Sequence, residues 1–521
     1  MDYQKSSIYP IQAVPFLMAK RASTYELALP PRKPRESAYQ WLAGALRNCI
    51  LQGELRPGSR VPATRDLSRQ YRLSRGTIVR AFEELKSEGY VECRVGSGTR
   101  VSRVLPDDLL RVHGGKLSQS APTPAAIRRL SVYARDAVHL DNLENRPSRA
   151  FRANLPAADL FPLDLWAQIS ARILHRATVG QLLACPAMGH LPLRAAIAEY
   201  LTTSRGVRCV PEQIAIVGGI QEALDLAARL FLDPGDRVCM ENPGYPGARG
   251  VFQAARAMIV SMEVDDEGMV IDERKLQGAR LVYVTPGHQF PLGVTMSLPR
   301  RLRLLEWARN SGAMIFEDDY DSEYRYVGRP VPALQSLDSG ATVLLAGSFR
   351  KVLFPSLRLG YIVFPEDLVD RCASIISVTR RHAPLLDQLV LCDFIREGHF
   401  GRHLRRMRQI YAARLSVLIE VANDRWSGLA EIAGIEAGLQ TVARLHGGID
   451  AEAVAITAAR RKVEVTPVDR YRHGRGASDL LQLGFAAFNI KEIRRGAHDL
   501  AVALEEEQQA LHRGHREQHQ Q

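Results

Sequence analysis

The sequence predicts an α/β protein that joins a small N-terminal winged helix-turn-helix to a large domain with a largely parallel sheet. Two observations carry this prediction. Between residues 37 and 103, three helical patterns are followed by a hairpin pattern, which is the order of elements in a winged helix-turn-helix. From about residue 150, short apolar runs alternate with helical segments, as in proteins whose helices cover a parallel sheet.

The small domain follows from spacing and from residues that start or stop helices. Ser74 is a residue type that caps helices, and Gly53 and Gly89 end two of the periodic runs. Gly96 and Gly98 suit a tight turn between two short strands. The predicted elements are a helix between Ser37 and Gly53, a helix at Thr64–Tyr71, a helix from Ser74 to Gly89, and strands at 90–94 and 99–101.

The large domain is predicted from its apolar runs, which are short, continuous and separated by helical segments. The segment before it contains Gly114-Gly115 and a run rich in Ser, Pro and Ala, which is linker composition. Predicted strands cover 214–217, 237–240, 281–284, 313–316 and 343–345. The expected boundaries are an N-terminal arm at 1–36, the winged helix-turn-helix at 37–103, a linker at 104–149, the large domain at 150–505 and a disordered tail at 506–521.

Composition excludes several classes of protein. The 521 residues are 46% hydrophobic and 24% charged, which is ordinary globular composition. Seven cysteines without a Cys-x-x-Cys pair argue against a disulfide framework or a zinc ribbon, and the three tail histidines fit a solvated terminus better than a metal site. No apolar run reaches the roughly 18 residues of a membrane span, and the start lacks a signal-peptide pattern. We therefore expect a cytoplasmic protein with no membrane partner and no metal.

Positive charge is concentrated in the small domain. Of the formal net charge of +12, a net +6 falls between Ser37 and Arg103, where twelve Lys or Arg residues oppose six acidic ones. This concentration predicts a polyanion as the partner of that domain. The alternative is that an arginine-rich protein carries a basic patch by chance, and charge alone does not decide between the two.

The predicted third helix is placed to read double-stranded DNA. In a helix-turn-helix, the N-terminal residues of the second helix of the motif face base edges in the major groove. Here these residues are Ser74, Arg75, Gly76 and Thr77. Arg75 is able to pair with a guanine, Thr77 to reach a base or phosphate, and Gly76 to let the backbone approach, while Arg65 on the preceding helix serves a phosphate.

These motifs resemble the DNA-binding domain of GntR-type bacterial transcription regulators. The resemblance rests on spacings that occur together and in order: Gly53-x-Leu55-x-Pro57-Gly58, Leu73-Ser74-Arg75-x-Thr77, Glu88-Gly89-Tyr90 and Gly96-x-Gly98-Thr99. It implies DNA contacts at Arg65, Arg75 and Thr77. One departure is Val79, where many members carry a second DNA-contacting arginine; Arg80 follows it.

A lysine in the large domain is the first sign of a cofactor. The chain has nine lysines against sixty arginines, and Lys351 stands just after an apolar strand. An amine in an enclosed site with a lowered pKa forms Schiff bases with aldehydes. Arg358, seven residues later, suits a phosphate. Together these residues indicate pyridoxal 5′-phosphate.

Other positions supply what this cofactor needs. Gly219 and Ile220 open a predicted helix after a strand, so their backbone amides suit the phosphate. Asp318, at a strand end, is able to pair with the pyridine nitrogen, although the adjacent Asp319 is also acidic. Tyr245 offers a face on which the ring stacks.

The large domain resembles the fold-type I aminotransferases, and the whole of residues 37–505 resembles the MocR subfamily, in which a GntR-type reader is fused to such a domain. The matching phrases are Tyr283-Val284-Thr285-Pro286-Gly287-His288-Gln289-Phe290-Pro291, Glu317-Asp318-Asp319-Tyr320-Asp321-Ser322-Glu323 and Phe354-Pro355-x-Leu357-Arg358-Leu359-Gly360-Tyr361. The resemblance implies that Lys351 forms the Schiff base, Asp318 pairs with the pyridine nitrogen, Arg358 and Ser348 bind the phosphate, Tyr245 stacks on the ring and Tyr320 donates to the phenolic oxygen.

Four departures from that family argue against efficient transamination. Phe290 stands where transaminases usually carry Asn, and Gln482 stands where they place the arginine that clamps the substrate carboxylate. Such a clamp contributes about 1.5 to 3 kcal/mol. Arg350 replaces a small residue, and residues 184–186 replace a run with a tyrosine that reaches the partner subunit's phosphate. Arg444, Arg470 and Arg472 are candidate replacements for the clamp.

The sequence therefore predicts a DNA-binding transcription regulator whose large domain senses pyridoxal phosphate or an amine condensed with it. The resemblance implies a homodimer. One alternative is an active aminotransferase with an accessory DNA-binding domain, and a residual half-reaction of that type is compatible with the retained lysine. A DNA-tethered scaffold with a vestigial large domain is the third hypothesis.

Overall fold

The computed structural model describes residues 27–33, 36–94, 98–105, 129–137, 149–328, 331–339, 341–432, 435–474 and 478–518. It separates into two compact units, Met1–Arg128 and Arg129–Gln521, and each is described by itself. Most of the predicted arm and linker, and the turn at 95–97, lie outside the described residues.

The first unit is a winged helix-turn-helix. Its elements are α1 (Ala38–Leu51), α2 (Thr64–Tyr71), α3 (Arg75–Ser87), β1 (Val91–Arg94) and β2 (Gly98–Val101). The two strands are antiparallel, with Val91 opposite Val101. Leu42, Leu67 and Ile78 from the three helices are fully buried together in one apolar core. The predicted order of helices and hairpin is confirmed.

The end of the predicted arm packs on this unit. Leu27 is buried in the same apolar core. The Trp41 indole donates a hydrogen bond of 2.9 Å to the Pro30 carbonyl, and the Tyr71 hydroxyl accepts one of 3.1 Å from the Leu29 amide. These contacts come from residues far apart in sequence, so helical periodicity does not reveal them.

The second unit contains most of the secondary structure. Its helices are α4 (Val132–Asp136), α5 (Leu163–Arg176), α6 (Val179–Leu183), α7 (Leu191–Arg205), α8 (Ile220–Phe231), α9 (Pro246–Ala254), α10 (Glu273–Leu276), α11 (Leu298–Ser311), α12 (Leu334–Leu337), α13 (Val369–Thr379), α14 (Leu385–Arg396), α15 (His399–Arg425), α16 (Ala451–Arg460) and α17 (Ile490–Gln518). Its strands are β3 (Ile214–Val217), β4 (Arg237–Asn242), β5 (Met258–Asp265), β6 (Gly268–Met269), β7 (Ala279–Val284), β8 (Met314–Asp319), β9 (Val343–Ser348), β10 (Gly360–Val363), β11 (Ala430–Ile432), β12 (Gln440–Leu445), β13 (Thr466–Pro467) and β14 (Leu480–Gly484).

An eight-stranded sheet forms the centre of the second unit, in the order β3-β10-β9-β8-β7-β4-β5-β6. The run from β9 to β5 is parallel, whereas β10 is antiparallel to both its neighbours. Strands β3 and β10 are buried at every residue, as expected for a sheet covered on both faces. A smaller antiparallel sheet has the order β11-β12-β14-β13. The predicted α/β class is confirmed.

Two segments differ from their predicted character. Within the predicted linker, α4 is capped by the Ser131 side chain, which accepts from the Ala134 amide, and it packs on α9. In the predicted tail, α17 extends to Gln518. The Thr457 hydroxyl donates to Glu507 at 2.6 Å, so contacts with α16 hold the first turn beyond residue 505. No helix within the described residues is long and apolar enough to cross a membrane.

Candidate functional site

A cavity opens in the second unit at the carboxyl ends of the parallel strands. Strands β7, β8 and β9 lie side by side in the sheet, so the residues at their ends meet at one edge. The cavity and its mouth enclose about 1060 Å³. All eight residues that the sequence predicts for the cofactor line it: Gly219, Ile220, Tyr245, Asp318, Tyr320, Ser348, Lys351 and Arg358.

Lys351 lies just beyond the end of β9, with 9% of its surface exposed. Its Nζ donates a hydrogen bond of 2.6 Å to Oδ1 of Asn154, and it lies 5.6 Å from the centre of the Tyr320 ring. Burial lowers the pKa of Lys351 to about 7, because removal from water disfavours the charged ammonium. The nearby Asp321 opposes this shift, and Arg350 adds to it. A large fraction of this amine is therefore uncharged at neutral pH.

The adjacent aspartates of β8 point in different directions, because side chains alternate along a strand. Asp318 faces the cavity, and its Oδ2 accepts 2.7 Å from the Tyr283 hydroxyl. Its Oδ1 is buried and has no hydrogen-bond partner among the described residues. Asp319 instead forms a two-point ion pair with Arg205, at 2.9 and 3.1 Å. Burial raises the pKa of Asp318 to about 7.

One end of the cavity is built for an anion. Gly219 has φ +116 and lies immediately before α8, and the first backbone amides of a helix are suited to bind an anion. Arg358 and Ser348 line the same cavity. A Cβ at Gly219 would lie 3.8 Å from the Ser348 hydroxyl, and one at Gly218 would lie 3.7 Å from the Arg358 carbonyl. Two chain segments distant in sequence therefore meet at the start of α8.

Aromatic side chains form much of the remaining wall. Phe290 is buried between Tyr245, Tyr320 and Tyr471, with ring centres 5.8, 6.1 and 4.9 Å away. Tyr245 stands immediately before α9. Burial raises its pKa to about 12, so it is neutral at physiological pH. The wall thus offers flat apolar faces with neutral hydroxyl groups.

The structure adds residues that sequence reasoning missed as site residues. Asn154 and Tyr471 lie 197 and 120 residues from Lys351 in the chain, yet they line the cavity with it. Asn154 has φ 69, and its backbone N–H donates to Oε1 of the buried Gln440 at 3.1 Å. A non-glycine residue that adopts positive φ is often Asn, but this signal appears only in the structure.

The missing carboxylate clamp is not replaced by the arginines that the sequence suggests. Gln482 is fully buried, and its Oε1 accepts 2.7 Å from the Tyr471 hydroxyl. Arg444, Arg470 and Arg472 form ion pairs with Asp479, Glu452 and Asp469 respectively, and none of the three lines the cavity. The position of the clamp is therefore neutral.

These residues fit pyridoxal phosphate. That cofactor needs an amine for its aldehyde, donors for its phosphate and an acceptor for its protonated ring nitrogen. The buried Lys351 amine, the glycine turn before α8 beside Arg358, and the unpaired Oδ1 of Asp318 supply the three in one cavity. The unpaired buried carboxylate oxygen is the strongest of these signs, because buried polar atoms are normally hydrogen-bonded.

In the first unit, the predicted DNA contacts cluster at the start of α3. Ser74, Arg75 and Gly76 are exposed, as is Arg65 on α2. The Ser74 hydroxyl accepts 3.1 Å from the amide of Thr77, so it caps the helix. The exposed Arg75 follows this cap directly.

Val79 stands where many family members carry a DNA-contacting arginine, and the neighbouring Arg80 packs on a ring of its own domain. Its guanidinium lies 4.1 Å from the centre of the Tyr39 ring on α1, which is cation–π geometry. Val79 itself is 45% exposed. Arg80 is exposed and also contacts an aromatic ring of its own domain.

Comparisons with known proteins agree with this architecture. Residues 156–499 match the family "Aminotransferase class I and II", and residues 38–101 match "Bacterial regulatory proteins, gntR family". The chain is 38% identical over 463 residues to the probable rhizopine catabolism regulatory protein MocR of Rhizobium meliloti, covering 88% of this chain and 92% of that protein. It is 31% identical to the pyridoxine biosynthesis transcriptional regulator PdxR of Corynebacterium glutamicum, covering 90% and 96%.

A solved structure matches the second unit. The α-aminoadipate aminotransferase LysN of Thermus thermophilus, complexed with N-(5′-phosphopyridoxyl)-L-leucine, has 30% identity and a TM-score of 0.63, covering 69% of this chain and 92% of that one. The two family matches and the near-complete overlap with MocR lead to one conclusion. The chain belongs to the MocR kind of GntR-type transcription regulators, which join a DNA-binding winged helix-turn-helix to a fold-type I aminotransferase domain that binds pyridoxal phosphate.

Proposed function

We propose that this regulator senses pyridoxal phosphate, or an amine that condenses with it, at Lys351 and transmits that event to its DNA-binding domain. The observation that carries the proposal is the buried Lys351 amine, whose pKa burial lowers, in a cavity shared with the unpaired oxygen of Asp318. When bound, the cofactor supplies an aldehyde carbon that an amine attacks. The name of the PdxR relative, which refers to pyridoxine biosynthesis, supports a ligand of this vitamin class.

Each of the eight predicted cofactor residues then has one role. Lys351 provides the attacking amine, and Asp318 accepts a hydrogen bond from the ring nitrogen. The amides of Gly219 and Ile220, with Ser348 and Arg358, bind the phosphate. Tyr245 covers one face of the ring, and Tyr320 donates to the ring oxygen. The aromatic wall around Phe290 keeps water from the amine, which maintains its low pKa.

The linker helix α4 offers a route for the signal. It packs on α9, whose first residues Pro246 and Gly247 line the cavity and whose preceding residue is Tyr245. A ligand that moves Tyr245 and the start of α9 therefore also acts on α4, which lies in the predicted linker to the winged helix-turn-helix. Such a ligand changes DNA binding only if its affinity differs between the two arrangements of the protein.

The second candidate function is aminotransferase activity with an accessory DNA-binding domain. The retained Lys351 and Asp318 favour it. The neutral, fully buried Gln482 disfavours efficient turnover of amino acids, because it provides no charge to orient a substrate carboxylate. For this reason we place the sensing function first. We also propose that the regulator acts in the cytoplasm and binds DNA as a homodimer.

The experiment combines absorbance with DNA binding. Purified protein is loaded with pyridoxal phosphate and reduced with borohydride, and the modified peptide is identified by mass. We expect a visible band and a covalent adduct at Lys351, both lost in Lys351→Ala and retained in Lys491→Ala, which removes an exposed lysine of α17. Gel shifts on the DNA upstream of the gene that encodes this protein, with and without cofactor and amines, then test the regulatory step.

Two results would contradict the proposal. The first is colourless protein without an adduct. The second is DNA affinity that never changes with cofactor or amine. Rapid turnover of amino donors and keto acids, with no effect on DNA binding, would instead support the aminotransferase function.

A further inference from the structure

Three buried side chains form a chain of contacts that ends at the cavity. The Tyr320 hydroxyl lies 3.0 Å from Nδ1 of His288, and the same nitrogen lies 2.9 Å from Oδ1 of Asp321. All three residues are less than one-tenth exposed. Of the three, Tyr320 alone lines the cavity, so His288 and Asp321 act on a ligand only through it.

The imidazole of His288 is held in one orientation. A Cβ at Gly438 would lie 2.1 Å from its Cε1, and one at Gly293 would lie 3.1 Å from its Nε2. Glycine at both positions lets the backbone close on the ring from two sides. The Leu439 amide donates to Oδ2 of Asp321 at 3.4 Å, which holds the carboxylate in place. The surrounding backbone therefore fixes the positions of His288 and Asp321.

The available donors and acceptors determine where the hydrogens of His288 and Tyr320 lie. The Asp321 carboxylate only accepts, so Nδ1 of His288 carries a hydrogen that points between Asp321 and the Tyr320 oxygen. Nε2 is buried and has no hydrogen-bond partner among the described residues, so both polar contacts of the ring described above are at Nδ1. With Nδ1 as the donor, the Tyr320 oxygen accepts, and its own hydrogen remains available.

Tyr320 differs in this respect from the other tyrosines that line the cavity. The hydroxyls of Tyr245, Tyr283 and Tyr471 donate to Gln221, Asp318 and Gln482, at 3.3, 2.7 and 2.7 Å respectively. Their hydrogens are already used within the protein. With Nδ1 of His288 as the donor, Tyr320 is the one of the four cavity tyrosines whose hydrogen is left without an acceptor in the described part of the chain. Phe290, beside it, has no polar hydrogen to offer.

We propose that His288 and Asp321 are positioning residues that turn the Tyr320 hydroxyl hydrogen into the cavity, where it serves an anionic oxygen of the bound ring. This inference rests on the proposed cofactor site and assigns the two residues that orient its donor. A donor stabilises the anionic form of that oxygen, so the visible absorbance of the loaded protein changes at a lower pH than it would without the donor.

The test compares absorbance midpoints on pH titration of cofactor-loaded variants. We expect Tyr320→Phe and His288→Leu each to raise the midpoint by about one pH unit, the size expected for loss of one hydrogen bond to a charged group. His288→Asn retains an N–H near the position of Nδ1, so it is expected to keep the original midpoint. Asp318, Asp319, Asp321, Glu241 and Lys351 also face Tyr320, and these variants leave all five unchanged.

A double variant decides whether His288 acts through Tyr320. In the Tyr320→Phe background, His288→Leu is expected to add no further shift, whereas an equal shift in both backgrounds would overturn the proposal. His288→Gln carries its N–H near the position of Nε2 and not of Nδ1, so it is expected to raise the midpoint as well, which provides a second reading if His288→Leu fails to fold by circular dichroism. A visible band with an unmoved midpoint in these variants refutes the inference alone, whereas no band in the unmodified protein refutes the cofactor site with it.

Discussion

At the scale of single residues, burial decides how one amine behaves. Lys351 belongs to a class of side chain that is normally charged up to about pH 10, and its surroundings here reduce that limit to about 7. Asp318 shows the opposite effect for the same reason, because burial raises the pKa of its carboxyl. The cavity therefore holds both groups near the midpoint of their titration at neutral pH.

The rate of cofactor capture is expected to follow the titration of Lys351. Only the uncharged amine attacks an aldehyde, and a group with a pKa of about 7 becomes roughly tenfold more deprotonated between pH 6 and pH 8. Stopped-flow absorbance should therefore show a rate that rises through pH 7 and levels off above pH 8. Arg350→Gln removes a charge that lowers this pKa, so it should move the midpoint upward. A rate that continues to rise tenfold per unit to pH 9 would contradict the buried amine.

At the scale of elements, the site depends on close contact between backbone segments. Gly360 begins β10, and a Cβ there would lie 2.7 Å from the Gly347 carbonyl oxygen and 3.0 Å from Cα of Gly219. Both neighbours are backbone, and they belong to the strand that leads to Lys351 and to the turn before α8. The strand packing and the anion-binding turn are thus coupled at this glycine.

Gly360→Ala is expected to lower stability and weaken cofactor binding together. The added methyl forces backbone atoms apart, which costs about 1 to 3 kcal/mol, and it displaces the Gly219 turn. Urea unfolding and titration with pyridoxal phosphate measure the two effects. The matched control is Gly250→Ala in α9, where nothing lies within 4 Å of the added methyl. Equal effects of the two substitutions would contradict the close packing.

Ser74 and Arg75 are expected to separate helix stability from DNA recognition in α3. Ser74→Ala removes the cap on the Thr77 amide, so it should destabilise the winged domain by about 1 kcal/mol. Arg75→Ala alters an exposed side chain, so it should leave thermal stability within about 0.5 kcal/mol and weaken specific binding by about 1 to 3 kcal/mol. Melting curves and gel shifts test both. A stability loss in Arg75→Ala, with DNA affinity unchanged, would reverse the assignment.

At the scale of the whole molecule, the chain joins a basic DNA reader to a cofactor-binding domain. Half of the formal net charge lies within residues 37–103. The DNA affinity of this domain should therefore fall steeply with salt, whereas cofactor binding in the buried cavity should respond less, because buried charges are screened less than exposed ones. These different salt responses allow the two functions to be measured separately in one protein.

A homodimer is expected to bind two half-sites on one face of the duplex. Sedimentation should give twice the chain mass of 57.9 kDa. Insertion of about five base pairs between the half-sites rotates one of them by half a turn and should weaken binding, whereas insertion of about ten should restore much of it. Equal affinity for all three spacings, or a monomer at the concentration of the gel shift, would contradict this arrangement.

Much of the architecture was readable from local patterns. The α2 helix and the β3 strand have the predicted bounds, and the other predicted strands lie at their predicted places, because periodicity and capping are local properties. Residue chemistry at Lys351, Asp318 and the turn at Gly219, together with the resemblance to fold-type I aminotransferases, predicted the eight cofactor residues, and all eight line one cavity. Asn154 and Tyr471 escaped prediction because they reach the cavity by tertiary contact alone.

The linear order of motifs was therefore enough to predict two domains, their classes and a lysine that lines the cavity of the second unit. Three-dimensional packing alone showed that Asp318 faces the cavity while Asp319 pairs with Arg205, and that Arg80 lies on Tyr39. It also showed that Gln482 is buried and that Arg444, Arg470 and Arg472 do not line the cavity. The physical reason is that strand phase, ion pairing and hydrogen-bond partners depend on residues far away in the chain, which no local spacing encodes.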